Sequence, residues 1–534
     1  MAEADVDVEV LIVGGGPVGL TARALLERWG VRTLLVEKHR ELSPFPRSRL
    51  VNTRSMEVFR RLGLAAGITA GAFPPQFGRV RFRDTLHDRD FASAVMVGVD
   101  GPIPESPVTG VVTSQDRLEP LLLAAADAPA RFGAEVVGLA EEADGVTALV
   151  LDRERGTRSR VRSRYLLAAD GANSAVRRWL GTGTTGPGAM AAVTTVVFDA
   201  DLGRWCAGQP AGVYVTAHGS FLPLYPEGGW AWLAPTPEGA ERADWPGLVA
   251  RALGPGSAVR PEVLRVQHWV MNAFVAERFR HGRILLAGDA AHAMPVIGGL
   301  GMNTGVADAH NLCWKLAGAL RGWAGSGLLD TYEVERRPVA DRTLRQAVAN
   351  TDLMFQAQSL RREQLRAGGA ASGRIELPWS ERYFAQLGLV LGVTYRSAAV
   401  LGDGGGTAPP PPGSSEASEA SEASAHYTPT AEPGRRMPHL WLAPGRSTLD
   451  AFGEWFTLLT PDPARWAPQD APPWPLRVEA LGAEHAGPCG LSPRGALLVR
   501  PDGHVGARWQ DGLPRPSALR DALAAITGTE GRTA

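Results

Sequence analysis

The stretch LLAGDAAHAMPVIGGLGMN, which ends at Asn303, joins an apolar run to two side chains able to do chemistry. Asp289 follows small apolar residues of the kind that form buried strands, and His292 lies three positions beyond it. Glycines at positions 298, 299 and 301 then leave backbone N–H groups uncovered. We expect Asp289 to accept hydrogen bonds from a polyol, the glycines to approach a flat ring, and His292 to hold the turn.

A glycine-rich turn near the amino terminus carries the GxGxxG pattern. An apolar strand precedes it, a helix follows, and Glu37 ends the next strand at the spacing typical of dinucleotide-binding folds. The glycines permit close approach of a pyrophosphate to the helix amino terminus, where free N–H groups favour negative charge. Glu37 is placed to accept hydrogen bonds from a ribose. The residues predicted to bind the nucleotide here are Gly14, Gly16, Pro17, Val18, Gly19, Glu37 and Lys38.

The helix after the second glycine cluster, NTGVADAHNLCWKLAGAL, directs its amino terminus toward the same ligand. A helix amino terminus stabilises negative charge, as on a reduced flavin or a phosphate. A carboxylate suits the ribityl hydroxyls of a flavin, because each hydroxyl can donate a hydrogen bond to it. This interpretation adds to the predicted cofactor site Asp289, Pro295, Gly299, Gly301, Met302 and Asn303.

The composition argues against several classes of function. The chain of 534 residues has 55 basic and 56 acidic side chains and a net charge of −1, so no global field attracts nucleic acid or an anionic membrane. No run of about eighteen apolar residues is present, which argues against a membrane span. The amino terminus has no basic, cleavable leader, and Cys206, Cys313 and Cys489 fit neither disulfide nor metal-ligand spacing. We therefore expect a cytoplasmic protein without a bound metal.

The periodicity of the chain predicts an α/β protein with an inserted β-rich domain. Residues 1–182 and 272–401 are predicted to form a nucleotide-binding domain that ends in long helices. Residues 183–271 are rich in Val, Tyr, Trp and turn residues, which favours short strands. Residues 402–426 contain a proline run and a Ser-Glu-Ala repeat, and we expect a disordered linker there. Residues 427–534 are predicted to form a further domain.

Three motifs, in order, resemble those of the FAD-dependent aromatic hydroxylases, the single-component flavin monooxygenases. They are the GxGxxG turn with Glu37, the segment YLLAADGANSAVRRWLG with Asp170, and the segment GDAAHAMPVIGGLGMNTGVADAHNLCWKLA. The resemblance covers residues 1 to about 400. It implies a Rossmann-like FAD-binding domain interrupted by a β-sheet substrate domain.

The resemblance also assigns individual residues. Arg47, in PFPRSRLVNTRSMEVFRRLGL, is implied to lie near cofactor phosphates, and Gln115 to contact the flavin. Asp170 is implied to lie near FAD and the nicotinamide nucleotide. One departure from the family is Val296, since a second proline usually follows Pro295 near the reactive edge of the flavin.

Beyond the predicted linker, PGRRMPHLWLAPGRSTLDAFGEWFTLL and LLVRPDGHVGARW resemble the C-terminal thioredoxin-like domain of one subgroup of the family. That subgroup acts on phenols and aromatic polyketides. Cys489 stands alone in this region, so dithiol chemistry is excluded. We expect this domain to serve in packing or assembly, in a monomer or a homodimer.

The resemblance implies a monooxygenase that uses FAD, NAD(P)H and O2, with NADPH favoured over NADH. Only one GxGxxG turn follows a predicted strand and opens a helix, so the nicotinamide nucleotide is expected to visit the flavin briefly. Oxygen adds to the reduced flavin, and the resulting C4a-hydroperoxide hydroxylates a polycyclic, polyketide-type phenol or quinone. The flavin supplies the chemistry, while the protein positions the ring and excludes water.

The substrate is expected to lie against the β-rich insertion. In SFLPLYPEGGWAWLA, strand alternation places Phe221, Pro223 and Tyr225 on one face and two leucines on the other. An aromatic wall suits a flat fused-ring substrate, so Phe221 and Tyr225 are candidate substrate residues, together with Pro295. No residue stands out as a catalytic acid or base.

Three other functions stay open at this point. Trp230, Trp232 and Pro235 nearly match the WxWxIP signature of flavin-dependent halogenases, but no lysine lies between Lys38 and Lys315 to carry the halogen. A Baeyer–Villiger reaction on a polyketide ketone uses the same flavin chemistry. A flavin-binding protein without turnover would need altered glycines beside the ring, and these are intact.

Overall fold

The computed structural model describes residues 6–255, 259–368, 373–377, 386–405, 427–467, 472–513 and 515–529. The first part of the chain alternates strands and helices. Its elements are β1 (Val6–Val13), α1 (Pro17–Arg28), β2 (Thr33–Glu37), β3 (Leu50–Val51), α2 (Thr53–Arg61), α3 (Ala65–Ala70), β4 (Arg79–Phe82), β5 (Ala92–Val95), β6 (Val111–Val112), α4 (Gln115–Ala124), β7 (Ala130–Phe132), β8 (Ala134–Glu141), β9 (Val146–Asp152), β10 (Arg158–Ala168) and α5 (Ala175–Trp179).

The middle of the chain is mostly strand and is followed by two long helices. The strand-rich part contains β11 (Thr184–Asp199), α6 (Gly203–Cys206), β12 (Val213–Thr216), β13 (Gly219–Tyr225), β14 (Gly228–Pro235), α7 (Trp245–Leu253) and β15 (Glu262–Ala276). The following part contains β16 (Arg280–His281), β17 (Ile284–Leu286), β18 (His292–Ala293), α8 (Gly301–Arg321), α9 (Asp330–Arg366) and α10 (Leu387–Val390).

The first sheet is largely parallel and has the strand order β16–β17–β10–β1–β2–β7. β1 lies between β10 and β2, and all three are parallel, as is β17 beside β10. A hairpin of β8 and β9 extends the sheet by pairing antiparallel to β10. Val10, Leu11 and Ile12 of β1 are fully buried. An unbroken buried run is typical of a parallel strand covered on both faces.

The second sheet has the order β18–β15–β11–β14–β13–β12–β4–β5. Its centre comes from the predicted substrate segment, residues 183–271. Two strands, β4 and β5, come instead from within residues 1–182, and β15 extends to Ala276. The predicted division is therefore incomplete. β4 and β5 have four residues each, too few for alternation to distinguish them from loop in the sequence.

The two long helices cover the first sheet and reach the second. α8 is buried along most of its length and packs closely on α1. α9 contacts both α8 and β15, so it spans the two sheets. No helix within the described residues is long and apolar enough to cross a membrane.

The C-terminal part forms a separate four-stranded sheet in the order β22–β21–β23–β24. β21 is parallel to β22 and antiparallel to β23, which is antiparallel to β24. Cys489 is buried in its core, and burial raises the pKa of this thiol to about 11. The thioredoxin-like assignment stays a prediction. The elements are β19 (Trp441–Ala443), β20 (Arg446–Ser447), β21 (Phe456–Thr460), α11 (Pro463–Trp466), β22 (Leu476–Ala480), α12 (Ala483–Ala486), β23 (Ala496–Val499), β24 (Val505–Trp509) and α13 (Ala518–Thr527).

Buried charges join the C-terminal part to the helices of the first. Arg500 donates to the carboxylate of Glu335 in α9 at 2.6 Å and to Asp502 at 2.5 Å. Lys315 of α8 donates to Glu335 at 2.8 Å. His504 lies at the edge of this group, 3.5 Å from Asp502. We call these five side chains the buried charge cluster.

The predicted linker is ordered at its beginning. Asp403 forms an ion pair with Arg508 at 2.7 Å, and Leu401 donates from its backbone to Gly506 at 2.8 Å. Residues 402–405 therefore pack on the C-terminal sheet, which differs from the expected disorder. Ion pairing with a residue of another domain cannot be read from a glycine-rich local sequence. Residues 406–426, which make up the rest of the predicted linker, lie outside the described residues.

Candidate active site

Four of the predicted turns meet at one edge of the first sheet. β1, β2, β10 and β17 run parallel, so their carboxyl ends lie side by side. Gly14 follows β1, Glu37 ends β2, Asp170 follows β10, and Asp289 follows β17. In open α/β sheets, ligands bind at this edge. The edge is therefore the place to test the predicted cofactor site.

The turn after β1 requires glycine at two positions. Gly14 has a φ of +111°, and a Cβ there would overlap the carbonyl group of Ala169. A Cβ at Gly19 would overlap the carbonyl oxygen of Gly14. Gly16 precedes α1, and Pro17 is its first residue, where a proline costs no hydrogen bond. No side chain caps this helix, so its first N–H groups are left for an anion.

Glu37 holds the glycine turn through the backbone. One carboxylate oxygen accepts from the N–H of Gly15 at 2.7 Å, and the other from the N–H of His39 at 2.9 Å. Each carboxylate oxygen can accept more than one hydrogen bond, so Glu37 retains capacity for a ribose. The side chain of Lys38, predicted with it, is exposed beside the turn.

The third motif packs directly on the first helix. A Cβ at Gly288 or at Gly305 would clash with the side chain of Val18. The close packing of α1 on the turn before α8 therefore depends on glycine at both positions. Val18 is a predicted cofactor residue. In this structure its side chain packs against Gly288 and Gly305 and so joins α1 to the third motif.

Asp289 lies in the turn after β17, at the carboxyl edge of the first sheet. Its side chain is accessible to solvent, yet protein surrounds it closely enough for burial to raise its pKa above the usual range. The nearby charges of His292 and Arg47 act in the opposite direction on that pKa. A Cβ at Gly301 would lie 3.9 Å from an Asp289 oxygen, so α8 begins beside this carboxylate.

His292 is held by a buried carboxylate. Its Nε2 lies 2.6 Å from Asp308, which also accepts from the N–H of Gly288 at 3.0 Å and from Arg336 at 2.7 Å. Burial alone would raise the pKa of Asp308, but the charges of His292 and Arg336 hold it below its usual range. These bonds fix the turn that carries Asp289. His292 thus holds the turn, as expected.

The loop before α8 adopts backbone conformations that favour glycine and packs closely on its neighbours. Gly298 and Gly299 have φ of +97° and +64°, and a Cβ at Gly299 would lie 2.8 Å from the side chain of Leu50. Asn303 donates to the carbonyl groups of Leu50 and Gly299 at 2.8 and 2.7 Å. It also accepts from the N–H of Asn52 at 3.0 Å. Asn303 therefore fastens the loop to β3 with its side chain.

The remaining predicted residues of this loop differ in exposure. Pro295 is buried, and Met302 is half-buried against the core of the first sheet. Val296, which departs from the family pattern, is 45% exposed. The side chain of Val296 is thus directed toward solvent rather than into the core.

Gln115 joins the Arg47 segment to α4. Its side chain accepts from the N–H of Ser48 at 3.3 Å and donates to Glu119 at 2.7 Å. Glu119 also accepts from the N–H of Ser43 at 3.1 Å, and burial raises its pKa to about 6. Glu119 is absent from the predicted site. Its i, i+4 spacing from Gln115 is the signal that marks it.

Arg49 is a second residue that the sequence interpretation missed. Its Nε donates to the carbonyl of Thr113 at 3.0 Å, but both terminal nitrogens are buried without a partner among the described residues. Burial lowers the pKa of this guanidinium to about 10. A buried guanidinium without a bonded anion is costly, so the arrangement suits an anionic ligand. The signal is the second arginine of PRSR.

The hydrogen-bonding capacity of Asp170 is largely taken up by the start of α5, the helix that follows it. It accepts from the hydroxyl of Ser174 at 2.6 Å and from the N–H of Val176 at 3.2 Å. Arg177 of the same helix donates to the carbonyl of Ala290 at 2.7 Å. α5 thereby connects the turn after β10 to the Asp289 turn. The structure thus places Asp170 at the expected edge in a positioning contact.

The two predicted substrate aromatics do not share a face of the second sheet. Phe221 is fully buried among Phe198, Trp232 and α7, on the outer face. Tyr225 packs instead against the opposite apolar cluster, which contains Leu222 and Leu224. Tyr225 ends β13 in the turn that pairs it with residue 228, so strand alternation does not hold its ring. The expectation that the two rings share one face is therefore wrong, and contact of either ring with a substrate stays a prediction.

The inner face of the second sheet is aliphatic with a polar end. We call Val197, Leu222, Leu224 and Ala231 the inner wall. At its edge, the hydroxyl of Tyr225 donates to Asp116 at 2.5 Å, and Arg117 lies over the ring at 4.3 Å. Burial, and then the Asp116 carboxylate, raise the pKa of Tyr225 to about 12. Asp116 belongs to α4, so the polar end joins the two sheets.

Two family models match the chain. Residues 7–347 match a family described as an FAD binding domain, and residues 430–529 match one described as aromatic-ring hydroxylase, C-terminal. Among curated relatives, an aklavinone 12-hydroxylase of Streptomyces peucetius is 34% identical, over 92% of this chain and 99% of that protein. A tetracenomycin B2 monooxygenase-dioxygenase of Streptomyces olivaceus is 34% identical, over 97% of this chain and 98% of that protein.

Solved structures with the same fold include flavoprotein complexes. The flavin-dependent monooxygenase PieE, in complex with FAD and substrate, has a TM-score of 0.87 and 34% identity, over 98% of this chain and 100% of that one. A ternary complex of aklavinone-11 hydroxylase with FAD and aklavinone has a TM-score of 0.81 and 32% identity, with the same coverage.

Proposed function

This chain belongs to the FAD-dependent aromatic-ring hydroxylases, and from that membership we propose that it hydroxylates a polycyclic aromatic polyketide, a phenol or quinone, with NAD(P)H and O2. Its enzyme class is that of an FAD-dependent monooxygenase. One observation carries the proposal. The loop of residues 295–303, which contains three glycines, reaches from the Asp289 turn to β3, to which Asn303 is hydrogen-bonded.

The residues at the sheet edge fit FAD. The uncapped first turn of α1 and the exposed Arg47 suit the pyrophosphate, and Asp289 suits the ribityl hydroxyls. Arg49 has unpartnered terminal nitrogens for an anionic group of the cofactor. The glycines of the loop permit the backbone conformation that carries it from the Asp289 turn to β3. When bound, FAD takes a hydride from the nicotinamide nucleotide and activates O2 for transfer to the substrate.

Support for the substrate class comes from the relatives and from the inner wall. The relatives are named for aklavinone, tetracenomycin B2 and, in Streptomyces halstedii, a polyketide. The inner wall is aliphatic and buried, which suits the apolar faces of fused rings and keeps water from the reacting atoms. NADPH is the proposed reductant, and the sequence has only one GxGxxG turn that opens a helix after a strand.

The polar end of the inner wall suits a phenol. The hydroxyl of Tyr225 donates a hydrogen bond to Asp116, and the tyrosine oxygen can still accept one. A substrate hydroxyl that donates to this oxygen would hold the ring in one orientation against the inner wall. A fixed orientation is what brings a single ring carbon to attack distance.

Oxygen-18 incorporation tests the proposal. The purified holoenzyme is incubated with NADPH, ¹⁸O2 and a panel of polycyclic phenols and quinones, and the products are analysed by mass spectrometry. We expect one ¹⁸O atom in a new ring hydroxyl. A product with ¹⁸O inserted into a ring, as in a Baeyer–Villiger reaction, contradicts the proposal, as does hydrogen peroxide without labelled product.

A further inference from the structure

Gln386 is an unusual residue behind the glycine loop. It is 2% exposed and has a φ of +47°, the only positive φ outside glycine among the described residues. Side chains rarely adopt this backbone conformation, and it tends to occur at functional sites. Its carbonyl oxygen accepts from the N–H groups of Leu389 and Val390 at the start of α10, at 2.8 and 2.9 Å. The backbone at Gln386 is thus anchored.

A network of amides fixes which way the Gln386 side chain faces. The oxygen of Asn350 accepts from the side-chain nitrogens of Gln346 and Gln386, at 3.0 and 3.1 Å. The nitrogen of Asn350 lies 3.5 Å from the carbonyl of Ile297. Because the Asn350 oxygen can only accept, Gln386 must turn its nitrogen toward it and its Oε1 away.

The Gln386 Oε1 atom is buried and has no hydrogen-bond partner in the described structure. A Cβ at Gly298 would lie 3.6 Å from it, so the atom lies against the glycine loop. Buried acceptors of this kind are nearly always satisfied, by protein, water or ligand. The oxygen is therefore placed for a donor that comes from outside the described chain.

Gln386 lines a small cavity between β3, the segment after β5 and the start of α10. The cavity measures about 20 Å³, enough for one water molecule or one hydroxyl group. Its other walls are mainly aliphatic, from Leu50, Met96, Val97, Val99, Leu300, Leu387 and Val390. Asn52 and Thr53 also line it, but Asn52 caps α2 and Thr53 donates to the carbonyl of Gly98. Among these polar side chains, Gln386 is the one with a buried acceptor atom that has no partner in the described structure.

We propose that the Oε1 of Gln386 accepts a hydrogen bond from a hydroxyl group of the aromatic substrate, and that this contact selects substrates hydroxylated at that position. The proposal rests on the proposed function. The cavity lies at the Gly298 end of the loop, whereas Asp289 approaches Gly301 at the other end. Its Met96–Val99 wall continues from β5 of the second sheet, against which the substrate is expected.

The test compares substrate preference in matched variants. NADPH oxidation by the holoenzyme is measured with 2,6-dihydroxyanthraquinone and with 2-hydroxyanthraquinone, and kcat/KM is compared between the two. Wild type should prefer the dihydroxy probe, and Gln386→Met should reduce that preference about tenfold, since one hydrogen bond is lost. Gln386→Glu, which keeps an acceptor, should retain the preference. Gln346→Met removes an amide from the same network outside the cavity and should also retain it.

Four outcomes would overturn the proposal. If Gln386→Met and Gln346→Met reduce kcat/KM equally for both probes, Gln386 is only a structural amide. If Gln386→Met changes the flavin absorption spectrum and leaves the preference intact, its partner is an N–H of the flavin. If wild type oxidises NADPH with both probes equally, the cavity does not detect the hydroxyl. If neither probe supports turnover, the proposed substrate class is wrong, and this proposal fails with it.

Discussion

The carboxylates at the sheet edge differ in how much of their hydrogen-bonding capacity the protein uses. Asp170 bonds to Ser174 and Val176 of its own helix. Glu37 bonds to two backbone N–H groups, which fixes the glycine turn. Asp289 is open to solvent at the floor of the same edge. We infer that the first two position the turns, while Asp289 is the carboxylate with most capacity for a ligand.

Asp289→Ala should therefore reduce FAD affinity with little effect on the fold. Loss of a charged acceptor for the ribityl hydroxyls costs about 1.5–3 kcal/mol of binding. The measurement is the dissociation constant of FAD for the apoprotein, followed by flavin fluorescence. Asp289→Asn, which keeps an oxygen but loses the charge, should give an intermediate value. A variant that purifies as yellow as wild type would show that Asp289 does not hold the cofactor.

Arg49→Met should separate cofactor binding from stability. The apoprotein carries this guanidinium buried without a bonded anion, so its replacement should leave the free energy of unfolding unchanged or raise it by about 1 kcal/mol. FAD affinity should fall about tenfold, because the cofactor loses a charged partner. Denaturant unfolding of the apoprotein and titration with FAD measure the two effects. A destabilised apoprotein with normal FAD affinity would instead assign Arg49 a structural role.

Mutations on the two faces of the second sheet should have different effects on the reaction. Leu222→Ala enlarges the inner wall, which should admit water beside the reacting ring. We expect NADPH consumption to persist while product falls and hydrogen peroxide rises, since oxygen transfer needs a closely held substrate. The decisive quantity is product formed per NADPH oxidised.

Phe221→Leu is the matched control for this experiment. Phe221 packs on the outer face with Trp232 and α7, so its truncation should lower stability and leave the product ratio as in wild type. If Phe221→Leu uncouples the reaction and Leu222→Ala does not, the substrate lies on the outer face. In that case the original expectation for Phe221 would be restored.

Elements whose signals are local can be predicted from the sequence. The turn at Gly14 lies between an apolar strand and a helix, and its backbone requires glycine, so a short pattern identifies it. The Asp289 turn follows the same logic, because a buried strand ends directly before it. The parallel order of β1, β10 and β17 then brings these turns to one edge.

Contacts between distant segments could not be predicted. Arg500 and Glu335 are 165 residues apart, and neither local sequence indicates the other. Gln386 and Arg49 each have buried side-chain atoms without a partner among the described residues, which becomes visible only when the surrounding atoms are known. The face of Tyr225 depends on the turn that ends β13 rather than on alternation along the strand. These features require the folded molecule.

The C-terminal part contributes to the whole molecule by holding helices that lead to the site. Arg436 forms an ion pair with Glu57 of α2, and Arg54 of the same helix donates to the backbone of Asp502 at 2.8 Å. α2 begins directly after Asn52, which bonds to Asn303 beside the glycine loop. The buried charge cluster holds α8 and α9 in the same way. Stability of this interface therefore bears on the geometry of the loop.

His504 should make the free energy of unfolding of the whole molecule depend on pH. Burial first, and then the nearby Arg54 and Arg500, lower the pKa of His504 to about 4 despite the opposing charge of Asp502, whereas an unfolded histidine has a pKa of 6.5. Between these values the unfolded chain binds the proton and the folded chain does not, so stability should fall as pH falls from 6.5 to 4.

The test compares wild type with His504→Phe, which keeps a ring to stack on Tyr395 but cannot titrate. The carboxylates of the buried charge cluster also take up protons in acid, and they do so in both proteins. The difference between the two unfolding free energies therefore reports His504 together with its effect on the pKa of Asp502, which His504 helps to lower. Between pH 6.5 and 4, wild type should lose about 2–3 kcal/mol more than the variant, because each pKa unit corresponds to about 1.4 kcal/mol. Denaturant unfolding at intervals of pH measures this loss. Parallel curves for the two proteins would mean that His504 is already protonated in the folded interface.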